Sequence, residues 1–148
     1  LNLRIDDHRV LRMLEAWGVP YAWAGGSPAT KWPPPPVDCS GFVQAALVEL
    51  GTLHPSQPDR TAEGLRGVCD PVEPDAAELG DLAFYGRSKA THVVLCLGGG
   101  VTLGANGGGR ATAGDDPRAF VQLQPLRYRA DLLGVGRPQF RHLAHPRK

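Results

Sequence analysis

Helical periodicity is confined to the first half of this 148-residue chain and strand-like runs to the second. That segregation limits the fold more than any other feature, because a parallel sheet needs strands and helices in alternation and no βαβ unit can be written here. From Asp6 to Trp17, the residues Val10, Leu11, Leu14 and Trp17 recur at helical spacing, with Asp6 as N-cap and Gly18 as the stop. A second helix is expected from Cys39 to Leu50, where Phe42, Val43, Ala46, Leu47 and Leu50 follow the helical pattern between a capping Asp38 and Gly51. A short third helix fits Thr61 to Arg66. After Pro71 and Pro74 the runs turn rich in β-formers: Leu82 to Tyr85, His92 to Leu97, Val101 to Ala105, Phe120 to Gln124 and Leu132 to Arg137. Three-glycine runs at 98–100 and 107–109 stand where hairpin turns are needed. The expected class is α+β, an antiparallel sheet packed on N-terminal helices. Between the first two helices, Gly25-Gly26 and Pro33 to Pro36 exclude regular hydrogen bonding and read as a turn followed by a stiff loop.

Size and charge exclude several classes. A chain of this length that is 42% hydrophobic can bury about 70% of its unfolded surface as one domain, residues 1–148, ending in a basic tail from about 139. The 16 basic and 15 acidic residues leave a net charge of +1, which argues against a dedicated nucleic-acid protein. Arg127, Arg129, Arg137, Arg141, Arg147 and Lys148 face only Asp131 in the last stretch and read as a solvated basic surface. No apolar run reaches the roughly 20 residues of a membrane helix. The chain opens at Leu1 rather than Met, which reads as a piece of a longer product. Cys39, Cys69 and Cys96 are odd in number and lack CxxC spacing, so no metal site is expected; a Cys69–Cys96 bridge and buried free thiols both remain open.

The chemistry concentrates at Asp38-Cys39-Ser40-Gly41, where a loop enters the second helix. Unpaired N–H groups and the positive end of the helix dipole favour an anion there, so Cys39 is expected to ionise more readily than a free thiol. A nucleophilic cysteine needs a base, and five histidines compete. His92 stands apart because it opens the most apolar strand, at an edge of the core. Spacing alone does not decide the point, since a histidine at a strand start more often serves structure.

The order Tyr21-Ala22-Trp23-Ala24-Gly25, Asp38-Cys39-Ser40-Gly41-Phe42, Leu79-Gly80-Asp81-Leu82-Ala83-Phe84-Tyr85 and His92-Val93-Val94-Leu95-Cys96-Leu97-Gly98 resembles the NlpC-type family of cell-wall cysteine endopeptidases, over about residues 8–138. Arg60-Thr61-Ala62 falls where that family carries a short Arg-Thr motif. The resemblance implies a papain-like fold and hydrolysis of peptidoglycan stem peptides, typically between D-glutamate and a diamino acid, without a cofactor. It implies Cys39 as nucleophile, His92 as general base and acid, Tyr21 beside the thiol, and Asp38, Ser40 and Trp23 on the substrate; Asp38 can equally be a helix cap and nothing more. It further implies a monomer that is exported to the envelope or outside the cell, or carried by a phage particle or secretion system. The family commonly places a third catalytic group where this chain has Gly104, which can orient nothing. Asn106, two residues on, shares that strand face and is the expected substitute, although Asn106-Gly107 is also a strong turn signal. The rival readings are a related Cys-His amidase or acyltransferase, and a wall-binding module whose catalysis has decayed.

Overall fold

The computed structural model describes residues 2–23 and 31–140. Ala24, Gly25, Gly26 and the last eight residues, with His142 and His145, lie outside that set.

The first helix, α1 (His8–Leu14), is shorter than its periodicity suggests. Asp7 caps it, accepting the Arg9 N–H at 2.8 Å, whereas Asp6 is drawn away into an ion pair with Arg4 at 2.9 Å. The buried stripe is Val10, Met13 and Ala16, and Leu11 and Trp17 face solvent at 46% and 53% exposure. Two apolar stripes compete on this segment, and the one with the smaller side chains is taken into the interior.

The second helix, α2 (Cys39–Glu49), has Asp38 as N-cap, its carboxylate accepting the Gly41 N–H at 2.8 Å. From Gly41 to Leu47 every residue is buried, and each large apolar side chain there contributes on the order of 2 kcal/mol. A short α3 (Ala62–Arg66) starts at Thr61, whose hydroxyl accepts the Gly64 N–H.

The strands are β1 (Cys69–Val72), β2 (Leu82–Tyr85), β3 (His92–Gly98), β4 (Val101–Asn106), β5 (Phe120–Pro125) and β6 (Leu132–Pro138), in one antiparallel sheet ordered β1-β6-β2-β3-β4-β5. The fold is therefore α+β as expected from the sequence. Strand β1 escapes a reading of β-formers because Pro71 sits in it; as an edge strand paired only with β6 it tolerates the missing N–H. The β3–β4 hairpin turns at Gly99 and Gly100, both at positive φ. The second glycine run opens a longer loop, 107–119, instead of a tight hairpin.

Alternation divides the sheet. Phe84, Val93, Leu95, Leu103 and Val121 meet Phe42, Val43 and Leu47 of α2 in the main core, while Ala83, Tyr85, Val94, Cys96 and Val135 pack on the opposite face with Leu126. Cys69 belongs to the first face and Cys96 to the second. With β6 and β2 between their strands, roughly 14 Å of sheet separates them, and all three cysteines are free.

The three arginines of the supposed basic surface that fall in the described part are paired. Arg127 faces Asp75 at 3.6 Å, Arg129 faces Asp131 at 2.6 Å and Arg137 faces Asp81 at 2.9 Å. Gln139 donates to the Val68 carbonyl and Phe140 is buried, so both residues belong to the fold. Asp81, 2% exposed, also accepts the Glu78 N–H at 2.8 Å. Arg137→Ala leaves that buried carboxylate short of a partner, and urea unfolding is expected to show a loss of about 1–3 kcal/mol.

Candidate active site

The helix α2 crosses β3 and β4, which brings its N-terminus to the end of β3 where His92 stands. The Cys39 sulfur accepts the backbone N–H of Val93, the residue after His92, and the N–H groups of Ser40 and of Cys39 itself also favour the thiolate. Burial nevertheless dominates and pushes the Cys39 thiol up, with Asp38 adding to the rise. The helix entrance alone suggests an acidic thiol; enclosure beneath the sheet reverses the balance, because desolvation penalises the charged form more than these dipoles repay.

His92 is half-buried, and its Nε2 lies 2.7 Å from Asn106 Oδ1 and 2.9 Å from the Tyr128 hydroxyl. Burial lowers its pKa from 6.5 to about 4, opposed by the Asn106 hydrogen bond. The substrate-free site thus holds a neutral thiol and a neutral imidazole at pH 7, with no hydrogen bond joining them among the described residues. Asn106 ends β4 rather than forming a tight turn, and is 5% exposed.

Gly104 is equally constrained. A Cβ there would stand 2.4 Å from Val94 Cγ1, so a larger side chain is excluded by packing. Tyr21 is buried beside the thiol, its ring lying where a Cβ on Gly108 would come within 2.1 Å. Burial, and then the Cys39 charge, raise its pKa, so it remains a neutral O–H donor. The loop 107–119 is stitched to this segment by Tyr21 N–H to Ala119 O and Trp23 N–H to Thr112 O.

Trp23, Asp38, Cys39, Ser40, Arg60 and Thr61 line one groove of about 440 Å³. A larger hollow of about 560 Å³ beside His54 and Phe140 is lined by no cysteine among the described residues. The far wall of the groove is held by Gln44, which is fully buried on α2. Its Nε2 reaches Asp59 Oδ1 at 2.7 Å and its Oε1 accepts the Arg60 N–H at 2.9 Å. Tyr128 and Gln44 escape a reading of motifs. Tyr128 lies in an arginine-rich stretch far along the chain, and Gln44 looks like an ordinary polar position on a helix.

Known proteins agree with this architecture. The NlpC/P60 family model matches residues 18–122. The chain belongs to the NlpC/P60 family. Peptidoglycan endopeptidase RipB of Mycobacterium tuberculosis is 39% identical over 110 residues, covering 68% of this chain and 43% of that protein. Murein DD-endopeptidase MepH of Escherichia coli is 33% identical over 92 residues, covering 60% and 32%. The chain therefore spans less than half the length of these two relatives. The solved RipB structure superposes with a TM-score of 0.61 at 30% identity over 87% of this chain and 61% of that one. RipD of Mycobacterium tuberculosis, described as a non-catalytic NlpC/p60 domain protein adapted to peptidoglycan binding, superposes at 0.60 with 29% identity, covering 91% and 97%. These structures share the papain-like arrangement of helices on an antiparallel sheet.

Two expectations follow from the packing. Gly104→Ala forces Val94 to shift and should cost about 1–3 kcal/mol in urea unfolding. Because the folded pKa of His92, about 4, lies below its ordinary 6.5, the unfolded chain binds more protons between those values. The stability linked to His92 is complete above pH 6.5 and is lost as the pH falls, by roughly 3 kcal/mol at most. Glu63, a lowered carboxylate with an ordinary value of 4.5, keeps its contribution above that point and loses it only below. Urea titrations at pH 7 and pH 5 should show the loss, and His92→Gln should flatten it.

Proposed function

We propose that this domain is a peptidoglycan stem-peptide hydrolase of the D-glutamyl–diamino acid endopeptidase type, acting through Cys39 and His92 outside the cytoplasmic membrane. The observation that carries the reading is the 2.7 Å contact between His92 and Asn106 at the same end of β3 where the Cys39 sulfur meets Val93 N–H; Cys39 lines the groove, which reaches Thr91, the residue before His92.

In this reading Asn106 Oδ1 accepts the proton on His92 Nε2, leaving Nδ1 as the base. Substrate entry brings the scissile carbonyl onto the sulfur. The thiol proton passes to Nδ1 as the C–S bond forms, so charge separates only when the oxyanion needs it. The Cys39 N–H at the start of α2 and the neutral Tyr21 hydroxyl supply oxyanion donors. Collapse breaks the C–N bond, the imidazolium hands its proton to the leaving amine, and water drawn in by Nδ1 hydrolyses the thioester. Asp38 and Ser40 lie beside the sulfur where a free stem-peptide amine would pair with a carboxylate, and Trp23 offers an exposed aromatic wall. Asp38 also caps α2, so both roles fall on one side chain.

RipD gives weight to a second reading, a peptidoglycan-binding domain without turnover. Purified sacculi separate the two. The wild-type chain should release muropeptides, identified by mass spectrometry, and Cys39→Ala or His92→Ala should lower the rate at least about a thousandfold with unchanged circular dichroism. Retained sacculus binding with no release by the wild type would establish the binding reading. Transfer of the acyl group to an amine in place of water would establish an acyltransferase.

A further inference from the structure

The contact between His92 and Asn106 does not by itself decide which ring nitrogen carries the proton. An amide can turn either its oxygen or its nitrogen toward an imidazole, and the two orientations select opposite tautomers. Only the form protonated on Nε2 leaves Nδ1 free to take a proton from a thiol.

Three atoms meet here in a triangle. His92 Nε2 is 2.7 Å from Asn106 Oδ1 and 2.9 Å from the Tyr128 oxygen, and Tyr128 is 2.8 Å from Asn106 Oδ1. The direction of the third contact breaks the symmetry, because the Tyr128 hydroxyl donates to Asn106 Oδ1. The neighbouring Arg129 guanidinium is held by both oxygens of Asp131 at 2.9 and 2.6 Å. The same stack fixes the ring of Tyr128, which packs edge-on against Tyr85 with centroids 5.3 Å apart, while Arg129 lies over the Tyr85 ring at 5.4 Å.

We propose that Tyr128 is a positioning residue: in a hydrogen-bond chain from Tyr128 to Asn106 to His92, its hydroxyl holds Asn106 Oδ1 toward the ring and locks His92 with its proton on Nε2. With Oδ1 facing the ring, the two lone pairs of the amide oxygen accept from Tyr128 and from His92, and one buried group, Asn106 Nδ2, is left without a partner. Turning the amide over would leave Oδ1 unpaired and redirect the Tyr128 proton to His92 Nε2, which is the competing tautomer. The preference for the productive tautomer thus comes from the tyrosine hydroxyl and not from the asparagine alone. The other groups bearing on His92 are Tyr85 on β2, stacked 5.8 Å from it, Asp131, and Cys39 across the sheet end; none of them donates to Asn106. The chain explains why Asn106 can serve where Val94 occupies the space above Gly104.

This inference rests on the proposed role of His92, but its test does not require peptidoglycan. ¹⁵N NMR of the wild-type protein at pH 7 should show the His92 proton on Nε2; a proton on Nδ1 overturns the proposal without any variant. Tyr128→Phe keeps the ring and removes the hydroxyl, and should convert His92 to a mixture of tautomers. Its kcat on sacculi should fall roughly fivefold to tenfold, the equivalent of about one net hydrogen bond, with KM unchanged. Asn106→Asp presents acceptors in both orientations, so Tyr128→Phe placed on that background should keep the proton on Nε2. A purely structural Tyr128 predicts instead an unchanged tautomer in Tyr128→Phe, which overturns the proposal. Sacculi left intact by a wild-type protein that still shows the Nε2 proton would defeat the proposed function and leave this inference standing.

Discussion

The seat of α2 across β3 and β4 is the constraint on which the rest of this domain depends. Gly41 to Leu47 are buried without a break, so the helix cannot rotate or slide without opening the main core. A rigid seat fixes where its N-terminus ends, and that terminus carries Cys39. The same contact draws the thiol under the sheet, where it exchanges water for the Val93 N–H. Position and enclosure therefore have one origin, and they act in opposite directions on the sulfur: the helix end favours the anion, and burial disfavours it.

That opposition shapes the proposed chemistry. In the proposed mechanism, a site holding a neutral thiol and a neutral imidazole exposes no charged nucleophile when empty, and separates charge only when a carbonyl is present to receive it. The low pKa of His92, about 4, keeps its imidazole unprotonated under mildly acidic conditions. The opposite face of the sheet supplies the other half of the candidate site. There Tyr85, Asn106 and Tyr128 come from three separated stretches of sequence and converge on one ring.

Legibility in the sequence tracked the range of the interaction responsible. Strands β2 to β6 could be read almost to their ends because β-branched and aromatic runs bounded by glycine declare themselves locally. The capping of α2 by Asp38 and of α3 by Thr61 was equally local. The buried stripe of α1 does not follow from spacing, since two apolar stripes occur on one short segment and only tertiary packing selects between them. Strand β1 was missed because Pro71 masks a segment that exists only by pairing with β6. Among the site residues, Asn106 could be inferred from period-two alternation with Gly104, whereas Tyr128 carried no signal at all.

What the sequence alone determined is the set of local decisions: an α+β order of elements, a cysteine at a helix entrance, a histidine at the start of the most apolar strand, and a glycine where a third polar group might have stood. Each depends on backbone preferences or on neighbours within a turn or a hairpin. The tertiary structure decided the rest: that burial outweighs the helix terminus at Cys39, that Val94 fills the space at Gly104, and that a tyrosine 36 residues beyond His92 lies against its ring. Desolvation, close packing and hydrogen bonds between distant strands arise only when the chain closes on itself, so no window along the sequence contains them.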